Sequence, residues 1–123
     1  MKNENLFQSI YCAFRGLATA FGSERNFRPY GVIAVIFLGL NIWLDAGAAD
    51  WMAYAIVTGG VIAAELINTA IERAVDFLTD EIHPKIKEVK DIAAGAVLVH
   101  GIVFFVVEAI VLLPKLRLVV LGG

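Results

Sequence analysis

Apolar and polar residues alternate with helical spacing at the start of the chain and then give way to long uncharged runs. In residues 4–22, Leu6, Phe7, Ile10, Tyr11, Phe14, Leu17, Ala18 and Phe21 fall on one side of a helix, opposite Gln8, Ser9, Arg15 and Thr19. This pattern predicts an amphipathic helix lying along a membrane surface or against a bundle. Spans are located by the uncharged runs, because crossing a bilayer takes about 20 mostly apolar residues and a charge at its centre costs several kcal/mol. The first run, PYGVIAVIFLGLNIWL, begins at Pro29 and extends through Asp45 to residue 49. The second covers 51–78: it opens at Trp51, is uncharged until Glu65 and keeps helical periodicity to Leu78. At 1.5 Å per residue this helix is about 40 Å long, so its C-terminal end should project into water. The third covers 92–113, is uncharged until Glu108, and is expected to stop at Pro114.

The expected fold is therefore all-α and membrane-embedded: one surface helix plus three transmembrane helices in a single domain, 1–123. Its sidedness follows from Lys and Arg near the span ends. Lys2, Arg15, Arg25 and Arg28 precede span one and Lys85, Lys87 and Lys90 lie between spans two and three, whereas DAGAAD, between spans one and two, has no cation. The N-terminus is predicted to be cytoplasmic, which leaves Lys115 and Arg117 outside. The first 28 residues lack the compact apolar core and small-residue site of a cleavable signal peptide.

Composition agrees with a lipid environment. The 123 residues are 59% hydrophobic and 18% charged, and a mean hydropathy of +0.77 exceeds what a water-soluble domain of this size carries. Ten Lys plus Arg against twelve Asp plus Glu give a net charge of −2, so no basic field exists to hold nucleic acid. Cys12, the one cysteine, cannot form an intrachain disulfide and reads as a small apolar residue.

Span two carries the chemistry. Taking about 100° per residue, Glu72 lies near −20°, Asp76 near +20° and Asn68 near −60° of Glu65, and Asp76 is about 16 Å further along the axis. These four polar groups line one face, which must look into the bundle or a neighbouring subunit because lipid cannot solvate it. Stacked carboxylates repel unless protons or a cation intervene. Mg²⁺ suits the stripe, since it takes one or two protein carboxylates and leaves positions for water and phosphate, as in a Mg-nucleotide. The alternative is that Glu65 and Glu72 are protonated, or paired with Arg73, and act as helix glue. Glu24 before span one and Lys90 and Asp91 before span three lie at the same membrane level; lysine is a suitable point charge for phosphate. No GxxxxGK[ST] phosphate loop occurs, which excludes a P-loop enzyme.

Four segments, ERNFRP (24–29), WLD (43–45), ELINTAIERAVD (65–76) and KDIAAGAV (90–97), resemble the small prokaryotic integral-membrane lipid kinases, a family comprising diacylglycerol kinase and undecaprenol kinase. The resemblance spans about residues 9–112. It implies that Glu65 is the general base for a lipid hydroxyl and that Glu24 and Glu72 bind the metal of Mg-ATP. Asn68, Asp76, Lys90 and Asp91 would complete the nucleotide and active-site shell, with His83 touching the nucleotide. It further implies a homotrimer with active sites shared between subunits, in a bacterial cytoplasmic membrane. The segments KDIAAGAV and ERNFR look more like the Gram-positive branch, which phosphorylates undecaprenol; diacylglycerol is the alternative substrate.

The remaining polar and small residues have plainer readings. Glu108 is expected to face the outer interface, and His100 to be hydrogen-bonded within the bundle. Gly59 and Gly60 suggest close helix packing, and Trp43 and Trp51 interfacial anchoring. A different class, a small proton-coupled transporter, would use Glu65 as an isolated carboxylate reached from both sides. It leaves Glu24, Lys90 and Asp91 without a task.

Overall fold

A computed structural model describes residues 5–23, 25, 27–81 and 83–122. All regular structure among them is helical: α1 Leu6–Ser23, α2 Phe27–Trp43, α3 Ala48–Leu78 and α4 Pro84–Leu121. Helices α3 and α4 are long and apolar enough to cross a bilayer, and α2 is a shorter apolar helix of 17 residues. Most of the apolar surface is uncovered: in the apolar windows of α3 and α4 only 28% and 22% is buried within the chain. Surface of this kind needs lipid or further protein against it.

Helix ends differ from the sequence reading where local chemistry decides them. Expected to reach residue 49, the first span stops being helical at Trp43. Asp45 adopts a left-handed backbone (φ 57°), and the Ala46 amide bonds back to the Asn41 carbonyl at 2.9 Å. Helix α3 then begins at Ala48 rather than 51, its entry fixed by the Gly47 amide donating to Asp50 Oδ2 at 3.0 Å. Helix α4 starts at Pro84, eight residues before the uncharged run. The His83 ring caps it, with Nδ1 accepting from the Lys85 amide at 3.1 Å, and proline at the first turn needs no N–H partner.

The stop expected at Pro114 is not made: α4 runs through it to Leu121, 38 residues in all, or about 57 Å of helix. A proline removes one intrahelical bond and crowds one carbonyl. Here the turns on both sides continue, and Lys115 just beyond is tied to α3 through Asp50 Oδ2 at 3.1 Å.

Helices α3 and α4 form the main packed pair, with α2 against both. The Phe37, Phe104 and Phe105 rings meet edge to face, with centroids 5.0–5.7 Å apart, and Tyr54 joins at 6.5 Å from Phe104. Gly60 permits the close α3–α4 approach: a methyl group there would lie 2.9 Å from His100 Cδ2, whereas Gly59 has open space. The exposed His100 ring is hydrogen-bonded to its own helix, its Nδ1 lying 2.9 Å from the Ala96 carbonyl, rather than to another helix of the bundle. At the end of the bundle where α3 stops and α4 starts, Lys90 Nζ bonds Asp76 Oδ1 at 2.7 Å and Arg73 Nη2 bonds Ser23 Oγ of α1 at 2.6 Å.

Glu108 departs most from expectation. It does not face the interface but is fully buried, 0% exposed, and its Oε1 accepts from Asn41 Nδ2 at 2.8 Å. The same nitrogen donates to the Phe37 carbonyl at 2.8 Å. Depth near a span end does not decide which way a side chain points; the buried amide of Asn41 supplies the partner that draws it inward.

Candidate active site

The polar stripe of α3 keeps the register that its spacing implies, and its exposure rises along the helix. Glu65 is 2% exposed, Asn68 5% and Thr69 4%, whereas Glu72 is half-buried and Asp76 exposed. Thr69 Oγ1, one turn below Glu65, donates to Glu65 Oε1 at 3.5 Å, and Asn68 Nδ2 reaches Glu72 Oε1 at 3.3 Å. Tyr30 of α2 borders the same groove as Glu65. Asn68 Oδ1 is buried without a hydrogen-bond partner among the described residues. An acceptor in that state favours an incoming donor or cation.

Beside the stripe lies an open groove of about 650 Å³. Glu65, Asn68 and Glu72 of α3, with Tyr30, form its polar wall, while Val97, Leu98, Ile102, Phe105 and Val106 of α4 form the apolar one. Two such walls suit a molecule with a polar head and a hydrocarbon body. A smaller hollow of about 240 Å³ opens where α3 and α4 are joined, lined by Asp76, Thr79, Asp80, His83, Lys87, Lys90 and Asp91 among others. Lys87 Nζ and Asp91 Oδ2 are 2.6 Å apart across it, beside the Lys90–Asp76 pair.

The residues singled out from sequence thus divide between two adjoining places. Glu65, Asn68 and Glu72 share the groove; Asp76, His83, Lys90 and Asp91 share the hollow. Glu24 lies outside the described residues. Oxygen donors alone, Glu72 and Asn68 from one turn of α3, suit a hard divalent ion. No group of three His, Cys, Asp or Glu side chains converges among the described residues.

Tyr30 and Thr69 were not anticipated. Thr69 carried a signal, since i+4 from Glu65 is the same helical face. Tyr30 carried only the fact of a polar-tipped ring at the opening of an apolar run.

Fold and groove define a membrane-type helix bundle with an ionisable site set against an apolar wall. Comparison with known proteins makes this specific: residues 11–112 match the family model described as prokaryotic diacylglycerol kinase. The chain is 37% identical over 110 residues to the undecaprenol kinase of Bacillus subtilis (strain 168), covering 89% of each. It is 32% identical to the diacylglycerol kinase of Helicobacter pylori (strain J99), over 83% of this chain and 79% of that one. Against the diacylglycerol kinase of Escherichia coli (strain K12) the identity is 31%, over 81% and 82%. The chain belongs to the prokaryotic diacylglycerol kinase family, a family of lipid kinases, and is accordingly a phosphotransferase.

Proposed function

We propose that this protein transfers the γ-phosphate of Mg-ATP to the hydroxyl of undecaprenol at the cytoplasmic face of a bacterial membrane. The observation that carries the reading is the two-walled groove, in which a buried carboxylate meets a hydrocarbon-lined surface and grades into exposed acidic groups. Undecaprenol is preferred to diacylglycerol because KDIAAGAV and ERNFR look more like the branch that phosphorylates undecaprenol, and the undecaprenol kinase relative aligns over 89% of both chains.

In this reading the whole chain is one membrane domain, with α1 on the surface and α2, α3 and α4 spanning. The N-terminus and the α3–α4 connection face the cytoplasm, and three copies assemble so that the polar face is shielded. Glu65 takes the proton of the lipid hydroxyl. The freed oxygen bonds to the γ-phosphorus, the bond from that phosphorus to its bridging oxygen breaks, and ADP departs. Mg²⁺, held by Glu72 with Glu24, would neutralise charge on the phosphates. Lys90 places a positive charge for phosphate, while Asp76, Asp91 and His83 border the nucleotide and Asn68 holds Glu72. Most of the rate gain is positioning and charge neutralisation.

Transfer of labelled γ-phosphate to undecaprenol and to diacylglycerol in mixed micelles, with Glu65→Gln as control, tests the proposal. Transfer to undecaprenol that the variant loses supports it. Faster transfer to diacylglycerol keeps the chemistry and overturns the substrate, and no transfer to either refutes the kinase reading and favours the transporter.

A further inference from the structure

Two cavities meet at one glycine of α4. The first is the open groove beside Glu65; the second is an apolar cleft of about 60 Å³ between α2, α3 and α4, lined by Ile33, Ala34, Thr58, Val61, Ile62 and Phe104 among others. Gly101 borders both, as do Tyr30 and Phe105. A methyl group built on Gly101 would meet none of the described residues within 4 Å outside its own stretch of helix, so close packing inside the chain, the reason for Gly60, does not account for it. What faces Gly101 is the passage from groove to cleft.

Direction and size say what the passage suits. Ile62 and Thr58 precede Glu65 by three and seven residues, which sets the cleft about 5–10 Å from that carboxyl along α3, on the side away from the exposed Asp76. A lipid alcohol with its hydroxyl at Glu65 sends its hydrocarbon that way, toward the middle of the bilayer. A cavity of about 150 Å³ holds benzene, so one of about 60 Å³ takes a single chain with its methyl branches and has no room for a second beside it.

We propose that this cleft seats the hydroxyl-proximal part of one hydrocarbon chain of the lipid substrate, which enters over Gly101. The proposal deepens the lipid kinase reading and rests on it. Bilayer and cleft are equally apolar, so the chain gains little by changing places. Its gain is close contact along a shaped wall, and with it a fixed direction of approach for the hydroxyl. Glycine keeps the passage clear. Leucine at 101 would grow into it, and as the better helix former it would obstruct without weakening α4.

Gly101→Leu, assayed with labelled Mg-ATP in mixed micelles on whichever lipid the wild type phosphorylates faster, is expected to raise the lipid KM about fivefold, with KM for ATP and kcat at saturating lipid within about twofold. Gly101→Ala adds one carbon and should fall between. A photoprobe reads the same placement without catalysis: a polyprenol with a diazirine on its second isoprene unit should label 33–34, 58–62 or 104–105 in the wild type, and the same positions about fivefold less in Gly101→Leu.

An unchanged lipid KM in Gly101→Leu, or a probe that labels only other positions, overturns the proposal. A rise in both KM values with a fall in kcat does so too, since it marks general damage. Should Gly101→Leu not fold, Gly101→Ala and the wild-type labelling decide by the same criteria. The kinase reading fails separately, when the wild type phosphorylates neither undecaprenol nor diacylglycerol; a wild type that is active while the cleft stays unlabelled sinks this inference alone.

Discussion

Glu108 and Asn41 offer the sharpest test of how the bundle is held, because both are 0% exposed and depend on each other. Asn41 Nδ2 spends its two hydrogens on the Phe37 carbonyl and on Glu108 Oε1, each at 2.8 Å. Asn41 Oδ1 and Glu108 Oε2 are buried with no partner among the described residues. Glu108→Ala leaves an amide hydrogen unanswered, at about 1–3 kcal/mol, and opens a cavity of the kind that costs about 2–5 kcal/mol when a Met-sized side chain is cut to Ala. The expected loss is about 3–5 kcal/mol, mostly packing. Interhelical hydrogen bonds measured in membranes contribute about 0.6 kcal/mol and at most about 1.7.

Glu108→Gln, in contrast, keeps the acceptor for Asn41 Nδ2 and adds an N–H able to answer Asn41 Oδ1. Unfolding followed by far-ultraviolet circular dichroism in detergent should place Glu108→Gln at or above the wild type and Glu108→Ala several degrees below it. A cycle with Asn41→Ala should return a coupling of about 1 kcal/mol. The reasoning is refuted if Gln is as damaging as Ala, since the charge of Glu108 would then matter rather than its shape and hydrogen bond.

Three further outcomes follow from other contacts. Gly60→Ala puts a methyl 2.9 Å from His100 Cδ2 and should cost about 1–3 kcal/mol, and His100→Ala in the same chain should recover most of the loss, read as the melting of the double variant. Asp50 is held below the ordinary aspartate value of 3.8, first by the Gly47 amide and then by Lys115, so its contribution is present above 3.8 and fades as pH falls through the folded value. Melting of the wild type minus that of Asp50→Asn should accordingly be constant near neutral pH and shrink in acid; a gap unchanged at pH 3 would contradict it. The Lys90–Asp76 pair is 2.7 Å long but its side chains are 37% and 65% exposed, so Lys90→Ala should shift stability by only about 0–1 kcal/mol. If Lys90 meets phosphate, that variant should still raise KM for ATP about tenfold, and an unchanged KM would remove it from the nucleotide site.

What the sequence made legible follows from what periodicity measures. The stripe from Glu65 to Asp76 lies within one helix, where 100° per residue fixes relative azimuth, and its order of burial emerged as the spacing implied. The start of α4 was missed because a charge-based search finds where hydrocarbon begins, not where helix does. KIKEVKD satisfies its own backbone in water as well as in lipid, and His83 with Pro84 supplies the cap. Pro114 was read as a stop because the rule concerns one lost bond, and a long, otherwise continuous helix tolerates that loss.

Cross-helix pairs were the harder part, since azimuth on one helix says nothing about azimuth on its neighbour. Yet depth was available. Asn41 precedes Asp45 by about 6 Å of helix, and Glu108 precedes Lys115 by about 10 Å, which places an amide and a carboxyl at similar depth on two helices running in the same direction. A polar group held in hydrocarbon needs a partner at its own level, and these depths allow the pairing that the structure makes at 2.8 Å, though which way Glu108 turns is decided only once the helices pack.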